Sequence, residues 1–400
     1  MMRNKDIRNT LVLNGSLIFF CTSALLGVRW SEEGAGLPFK IYSVLVLLIG
    51  VYSLRSSFKQ NARMLPLFVF CIYFFTGIIQ GYSDSSMFLQ MTCFSLPAIC
   101  IGLNMRDHKD LAGVMKCVDV LLPLFALSFP FMVINIFLSS LDGEGQYNQH
   151  ASYMIAFCFL IDLYLLRYEK YYEKYAFMDK RWNKILKIFL LPYLMIMEFF
   201  CGGRGAFIAI MIGIFLNIGI LKTVKPKYIQ KGCLTILFIV VFAIIAANNL
   251  SSDYSDLLNR NFGRVTDLFE GGHINTSSSS GRDEIYVQAF NLIVQSPIWG
   301  YGLFSYLSHI IFPHNIFLEI ALQGGFPFLA IACFVFILAF SKYKLMKRKD
   351  RCQVFLAPIL IFSFTELMFS GSYMIVPLFG FSLSYIYNYR FEKNNPLQYK

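Results

Sequence analysis

The sequence predicts an all-α, polytopic membrane protein with about twelve transmembrane helices and one large periplasmic loop that carries short interfacial helices. The composition is 56% hydrophobic and 17% aromatic with a mean hydropathy of +0.56, which is too apolar for a water-soluble chain of 400 residues. Its apolar runs reach bilayer length, and its basic residues alternate between loops. We therefore expect residues 1–400 to form a single integral membrane domain.

Twelve apolar runs have close to the ~20 residues that a spanning helix needs. They lie at 10–28, 38–54, 64–80, 87–104, 114–138, 150–166, 184–200, 205–221, 232–248, 326–341, 353–369 and 373–388. The first run follows Arg3, Lys5 and Arg8 and resembles a secretory signal, whose removal would leave eleven spans. A retained first span is the favoured interpretation.

The distribution of Lys and Arg tests this span count, because these residues concentrate in cytoplasmic loops. With the N-terminus inside, 29 of the 35 fall in inner segments and six in outer ones. The six are Arg29, Lys40, Arg204, Arg260, Arg264 and Arg282. Both termini are therefore predicted to be cytoplasmic. The basic residues are spread over seven loops rather than gathered on one face, which argues against nucleic-acid binding.

Residues 249–313 form the predicted periplasmic loop between spans nine and ten. Its first part, 253–270, has apolar residues at near-helical spacing and could lie as a helix in the interface. A hinge rich in Gly, Ser and Thr follows. A capping box at 280–283 then predicts a short helix with Arg282 at its start, which Pro297 terminates.

The segment after this loop is longer than one span requires. From His314 to Phe340 the chain is apolar, and Gly324, Gly325 and Pro327 interrupt it early. We therefore expect residues 314–323 to lie at the outer interface and the spanning helix to begin near Pro327.

Arg204 lies in a turn with glycines on both sides. Gly203 and Gly205 allow the close approach of a ligand, and a guanidinium group donates two hydrogen bonds to a phosphate. The alternative is that Arg204 anchors a tight turn and pairs with Glu198. The sequence spacing alone does not decide between ligand binding by Arg204 and its pairing with Glu198.

Arg282 and His314 are the other candidates. The helix dipole disfavours a cation at a helix start, so Arg282 needs another reason for its position. His314 could act as a general base if Glu319 or Asn315 orients its ring, or it could merely cap the following helix. Metal ligation is the weaker option for His314, because His309 and His314 do not have metal-ligand spacing, and none of the ten cysteines forms a Cys-x-x-Cys pair that would indicate a structural zinc site.

The order of these features resembles the family of bacterial O-antigen polymerases and O-antigen ligases, over roughly residues 148–323. The Gly-Arg-Gly turn at 203–205 resembles the first arginine site of the family, and Arg282, fifteen residues before Pro297, resembles the second. His314 and Asn315, followed after nine residues by Gly325, resemble its His-Asn-x9-Gly motif.

The resemblance implies a glycosyltransferase of the bacterial inner membrane that transfers a glycan from undecaprenyl diphosphate to an acceptor sugar hydroxyl at the periplasmic face. It implies Arg204, Arg282 and His314 as catalytic residues, and Arg204, Arg282, Asn315 and Glu319 as substrate-binding residues. Its partners would be the undecaprenyl-diphosphate-linked oligosaccharide and the lipid bilayer, with a chain-length regulator as an optional protein partner. No metal or cofactor is implied.

Three functions remain open at this point. A polymerase extends another lipid-linked repeat unit in lipopolysaccharide or other polysaccharide biosynthesis, whereas a ligase transfers the glycan to lipid A-core. Ligases tend to have a small or hydroxylated residue three positions after the motif glycine, so Phe328 favours the polymerase. The third function, a twelve-span transporter or flippase, would require repeated halves and charges near the bilayer midplane, which the sequence pattern does not indicate.

Overall fold

The computed structural model describes residues 4–13, single positions at 41, 44, 45, 48, 49 and 52, and then 95–105, 108–141, 149–168, 180–201, 203–217, 282–371 and 376–390. Within these residues every regular element is a helix. The predicted spans at 64–80 and 232–248, most of those at 10–28 and 38–54, parts of those at 87–104, 205–221 and 373–388, and loop residues 249–281 lie outside the described residues.

The described α-helices are numbered here in chain order. They are α1 (Asn4–Leu13), α2 (Leu96–Asn104), α3 (His108–Leu141), α4 (Gln149–Arg167), α5 (Lys180–Cys201), α6 (Arg204–Leu216), α7 (Arg282–Gln295), α8 (Ile316–Lys349), α9 (Leu356–Phe369) and α10 (Pro377–Asn388). Two short 3-10 helices, Ser305–Ser308 and Arg351–Phe355, precede α8 and α9 respectively.

Helix α4 lies at the centre of the described bundle. It packs against α3, α5, α6 and α9, and nearly all of its side chains between residues 151 and 165 are buried. A helix that is apolar all round is stable only when other helices or lipid surround it. Because its neighbours lie alongside it, the C-terminal ends of α5 and α9 and the N-terminal end of α6 lie near the start of α4.

Three described helical segments are long and apolar enough to cross a membrane: Asp110–Val133, Ile316–Lys349 and Arg351–Phe369. The last of them joins the second 3-10 helix to α9. The segment in α8 is also the least buried of the three, as expected for a helix that faces lipid. The described part of the chain is therefore that of a helical membrane protein.

Helix α8 is interrupted near its start. Its 34 residues would measure ~51 Å as one straight helix, well beyond the ~30 Å hydrocarbon core of a bilayer. Gly324 and Gly325 leave the helical conformation, and Gly325 has a φ of +70°, which favours glycine. The predicted break at these two glycines is confirmed, and residues 326–349 form the longer part of the helix.

A turn formed by residues 296–302 stabilises this break. The backbone amides of Tyr301 and Gly302 donate to the carbonyl oxygens of Leu322 (2.7 Å) and Gln323 (2.8 Å), which the break leaves without helical partners. In return, the amide of Phe326 donates to Pro297 O at 2.7 Å. A Cβ atom on Gly325 would overlap that same carbonyl oxygen. We call residues 282–326 the helix-turn unit.

The helix-turn unit has a small apolar core of its own. Its buried members are Ala289, Ile293, Tyr306, Ile310, Ala321 and Leu322. The short helix predicted within the periplasmic loop is confirmed as α7, which begins at Arg282 and ends immediately before Ser296 and Pro297. The capping residues predicted just before Arg282 lie outside the described residues.

Candidate functional site

The C-terminal end of α9 brings two of the candidate residues together. The last carbonyl groups of a helix have no partner within it and need hydrogen bonds from elsewhere. Arg282 Nη2 donates to Phe369 O at 3.0 Å, and the ring nitrogen Nδ1 of His314 lies 2.9 Å from Ser370 O. Arg282 and His314 are thus attached to two successive carbonyl groups.

The unusual position of Arg282 now has a physical explanation. A cation at the first residue of a helix opposes the dipole of that helix. Here the guanidinium is directed at the C-terminal end of α9, where the partial negative charge of the carbonyl groups favours a cation. The exposed carboxylates of Asp283 and Glu284 occupy the first turn of α7 instead.

The hydrogen bond to Ser370 determines which ring nitrogen of His314 carries the proton. A carbonyl oxygen only accepts, so Nδ1 donates its proton to it and Nε2 keeps a free electron pair. Burial lowers the pKa of His314, the Ser370 carbonyl opposes this effect, and the positive charge of Arg282 lowers the pKa further. At neutral pH the ring is therefore an uncharged base.

The backbone also contributes to the position of His314. Its φ of +50° lies in the left-handed region, which histidine adopts more often than most residues but which remains uncommon. Pro313 precedes it, and the ring of Phe312 contacts the His314 ring edge-on at a centroid distance of 5.1 Å. The chain thus turns sharply at His314 before α8 begins.

Asn315 and Glu319 do not orient His314, contrary to expectation. The side chain of Asn315 accepts from the amides of Phe317 (3.0 Å) and Leu318 (3.3 Å) and so caps α8, the role considered for His314. Glu319 is fully buried one turn further along α8, where it accepts from Gln323 Nε2 at 3.3 Å. Substrate contacts of Asn315 and Glu319 stay a prediction.

Arg204 is the first residue of α6, and the glycines beside it allow this helix to start against its neighbours. A Cβ atom on Gly203 would overlap Ser152 Oγ in α4. One on Gly205 would overlap the hydroxyl of Tyr153 and would lie 2.8 Å from Phe369 Cβ. Arg204 is therefore one residue away from the contact with Phe369, whose carbonyl binds Arg282.

A buried Ser–Glu pair adjoins this site, which the sequence did not predict. Ser152 Oγ donates to Glu198 Oε1, and Glu198 is fully buried. The second oxygen, Oε2, has no hydrogen-bond partner among the described residues. The suggested pairing of Glu198 with Arg204 is therefore wrong. The signal for the observed pair was that Ser152 and Glu198 lie at matching depths on consecutive spans.

The fold and the site together define a class. This is a helical membrane protein in which Arg282, whose guanidinium suits an anionic group, lies near an uncharged histidine that can accept a proton from a hydroxyl, with the start of α6 packed against Phe369 beside them. Residues 189–333 match the family described as O-antigen ligase, whose membrane enzymes transfer lipid-linked glycans. No curated protein and no solved structure matches the chain significantly.

The family match covers somewhat more than a third of the chain. It begins at residue 189 rather than near 148, and it extends to 333. Arg204, Arg282 and His314 all lie inside it, whereas Phe369 and Ser370, which hold two of them, lie outside. Within the described part of the chain, no group of three or more His, Cys, Asp or Glu is placed to hold a metal ion.

Proposed function

We propose that this protein is a repeat-unit polymerase for O-antigen, capsular polysaccharide or exopolysaccharide. It transfers a glycan from undecaprenyl diphosphate to the acceptor sugar of another lipid-linked repeat unit, at the periplasmic face of the inner membrane. The observation that carries this proposal is the attachment of Arg282 and His314 to successive carbonyl groups of α9. The start of α6, with Arg204, packs against the same residue, Phe369.

The two arginines would bind the diphosphate of the donor. As the bond between the anomeric carbon and the diphosphate oxygen breaks, its electron pair stays on that oxygen, and the negative charge there grows. Arg204 and Arg282 stabilise this charge by charge-assisted hydrogen bonds.

His314 would act on the acceptor. Its free Nε2 takes the proton of the attacking sugar hydroxyl while the new carbon–oxygen bond forms. The lowered pKa of His314 keeps Nε2 available for this proton at neutral pH. Asn315 and Glu319, which follow on α8, would complete the substrate contacts. No step uses a metal ion or a cofactor.

The packing of helix ends supports the proposed membrane arrangement. Ser152, Glu198, Arg204 and Phe369 lie together, and the charge distribution places all four at outer ends of spans. At the opposite ends of α4 and α6, Arg167 Nη1 donates to Asn217 Oδ1 at 2.8 Å. In keeping with this agreement, we propose twelve spans in one membrane domain, with both termini cytoplasmic and residues 249–313 periplasmic.

An O-antigen ligase, which would transfer the glycan to lipid A-core, is the second candidate. Phe328 favours the polymerase, since family ligases tend to carry a small or hydroxylated residue there. In the structure its side chain packs on Gly324, where a Cβ atom would lie 2.6 Å from Phe328 Cβ. Phe328 therefore lies against the break in α8 and leaves no room for a side chain at position 324.

Deletion of the gene, followed by gel analysis of the surface polysaccharide, tests the proposal. A polymerase deletion should leave one repeat unit on the lipid A-core, and a plasmid-borne wild-type gene should restore the ladder of longer chains. Bare core with retained lipid-linked polymer would instead identify a ligase. An unchanged polysaccharide would exclude both functions.

A further inference from the structure

The exposed surface of α7 is divided into an apolar and a polar stripe. Ala289 and Ile293 are buried in the helix-turn unit. Val287, Phe290 and Val294 are each more than half exposed. With ~100° of rotation per residue, these three side chains fall within an arc of about 60°. We call them, with Ile298 and Trp299 of the following turn, the apolar stripe.

The polar stripe lies beside it on the same helix. Gln288, Asn291 and Gln295 are exposed and also fall within an arc of about 60°. From residue 286 to residue 295, α7 thus presents a protein-facing sector, an apolar sector and a polar sector, and the exposed Asp283 precedes the apolar sector in the first turn of the helix. Water alone does not favour a separation of exposed apolar and polar side chains on a helix. A lipid–water boundary does favour it, because the apolar face contacts lipid and the polar face contacts water.

The apolar stripe continues onto the surface of α8. The hydrogen bond from Phe326 N to Pro297 O holds the turn with Ile298 and Trp299 next to Phe326, which is 47% exposed. Beyond Phe326 the exposed face of α8 is almost wholly apolar, with Ile331, Phe334, Val335, Ile337 and Leu338 exposed. In a spanning helix such a face contacts lipid.

We infer that the apolar stripe binds the surface of the lipid bilayer, with the side chain of Trp299 inserted at the level of the headgroups. Trp299 is 83% exposed, and its ring suits this level because it combines a large apolar body with a polar N–H group. The polar stripe then faces water. Bound in this way, the lipid surface holds the helix-turn unit at a defined depth.

This inference goes beyond glycan transfer and does not rest on it, because it requires only that α8 crosses a bilayer. It also has a consequence for the site. With the stripe of α7 in the interface, Arg282 at the start of the helix lies near the depth of lipid phosphate groups.

Fluorescence of Trp299 in the full-length chain provides the test. The chain has three tryptophans, and the Trp30→Phe/Trp182→Phe variant keeps only Trp299. The probe is this variant in liposomes of phosphatidylcholine brominated near the headgroup end of its acyl chains. We expect these lipids to quench most of the Trp299 emission, and aqueous iodide to quench little of it.

Two neighbouring positions on α7 give a matched comparison. In a chain that also carries Trp299→Phe, the substitution Phe290→Trp adds a probe to the apolar stripe and Gln288→Trp adds one to the polar stripe. We expect brominated lipid to quench the first probe and iodide the second. If iodide alone quenches both probes, water covers the apolar stripe and the inference is overturned. If brominated lipid quenches neither probe, the stripe does not contact lipid, and the inference is overturned as well.

A folding defect in the multiply substituted chain would not prevent the test. The wild type and the Trp299→Phe variant differ only in the emission of Trp299. The difference between their spectra is therefore the Trp299 emission, and its quenching by lipid and by iodide is measured in the same way. Gel analysis of the polysaccharide and lipid quenching are separate measurements, and a failure of the proposed function leaves the quenching result intact.

Discussion

Cations at the two ends of the described bundle have different partners. At the end formed by the starts of α1, α3 and α5, lysines pair with carboxylates. Lys5 Nζ lies 2.9 Å from Asp110 Oδ1, and Lys187 Nζ lies 2.5 Å from Asp119 Oδ1. At the opposite end, the hydrogen bond of Arg282 is to a backbone carbonyl, and no carboxylate of the described residues forms an ion pair with it.

This difference explains how cations in one bundle can serve two purposes, holding helices together at one end and offering a positive charge at the other. A carboxylate neutralises the charge of its partner, and the pair then serves to hold helices together. A carbonyl group carries only a partial charge, so it positions the guanidinium of Arg282 and leaves most of its positive charge for an anionic ligand. The contrast predicts that substitutions at the two ends affect different properties.

The largest effect is expected for His314→Ala. Loss of the proposed base should reduce turnover by about 10²- to 10⁴-fold, while binding of the lipid-linked donor stays close to that of the wild type, because in the proposed mechanism the arginines bind the diphosphate. Turnover and donor binding are measured with purified protein and a lipid-linked repeat unit. His309→Ala, which removes an exposed ring that contacts Tyr301, is the matched control. Wild-type turnover in His314→Ala would show that this histidine has only a structural role.

At the opposite end we expect Lys187→Met to change stability and leave donor affinity unaltered. The substitution leaves the buried Asp119 without its cation, which costs about 3–5 kcal/mol. Thermal unfolding in detergent measures this loss. Lys5→Gln is the control, since its pair is partly exposed and contributes less than about 1 kcal/mol. Weaker donor binding in a folded Lys187→Met variant would contradict the separation of the two ends.

Arg282→Gln should show the opposite behaviour. Removing a charge-assisted hydrogen bond to the diphosphate should cost about 1.5–3 kcal/mol of binding, or roughly 10- to 100-fold in donor affinity. Arg282→Lys should recover part of the affinity if charge matters more than bidentate geometry. Binding is measured on membranes with matched amounts of each variant. Arg204→Gln should behave similarly, and unchanged affinity in both would remove the arginines from the donor site.

The smallest effect concerns pH. Because the pKa of His314 is lowered, mainly by burial, the base form persists below the usual histidine range, and kcat/KM should fall only at more acidic pH. The charge of Arg282 contributes to this lowering, so its removal in Arg282→Gln raises the pKa and should move the acid limb to higher pH. An acid limb at the same pH in both proteins would show that the charge of Arg282 does not affect the pKa of His314.

Local features of the site were predictable from the sequence. The break at Gly324 and Gly325 and the limits of α7 follow from glycine, proline and capping preferences within a few residues. The family resemblance singled out Arg282 and His314, which the structure places on adjacent carbonyl groups. It also indicated Pro297, whose carbonyl group accepts a hydrogen bond at the break in α8.

The attachment points were not predictable in the same way. Phe369 O and Ser370 O are backbone atoms, and any residue type supplies such an oxygen, so no sequence pattern reveals them. The pair of Ser152 and Glu198 joins residues that are 46 positions apart and depends on how α4 packs against α5. The cap by Asn315, by contrast, follows a local rule, and the sequence interpretation assigned this residue to the substrate instead.

The helix-turn unit has a consequence for cooperativity. Its core and the hydrogen bonds at the break join residues close in sequence, so it can open and close as one element while the spans stay folded. Amide hydrogen exchange would then report equal protection for Tyr301, Gly302 and Phe326, and unequal protection would exclude this behaviour. Since Arg282 and His314 both belong to this element, an opening event withdraws the proposed donor-binding charge and the proposed acceptor base at the same moment.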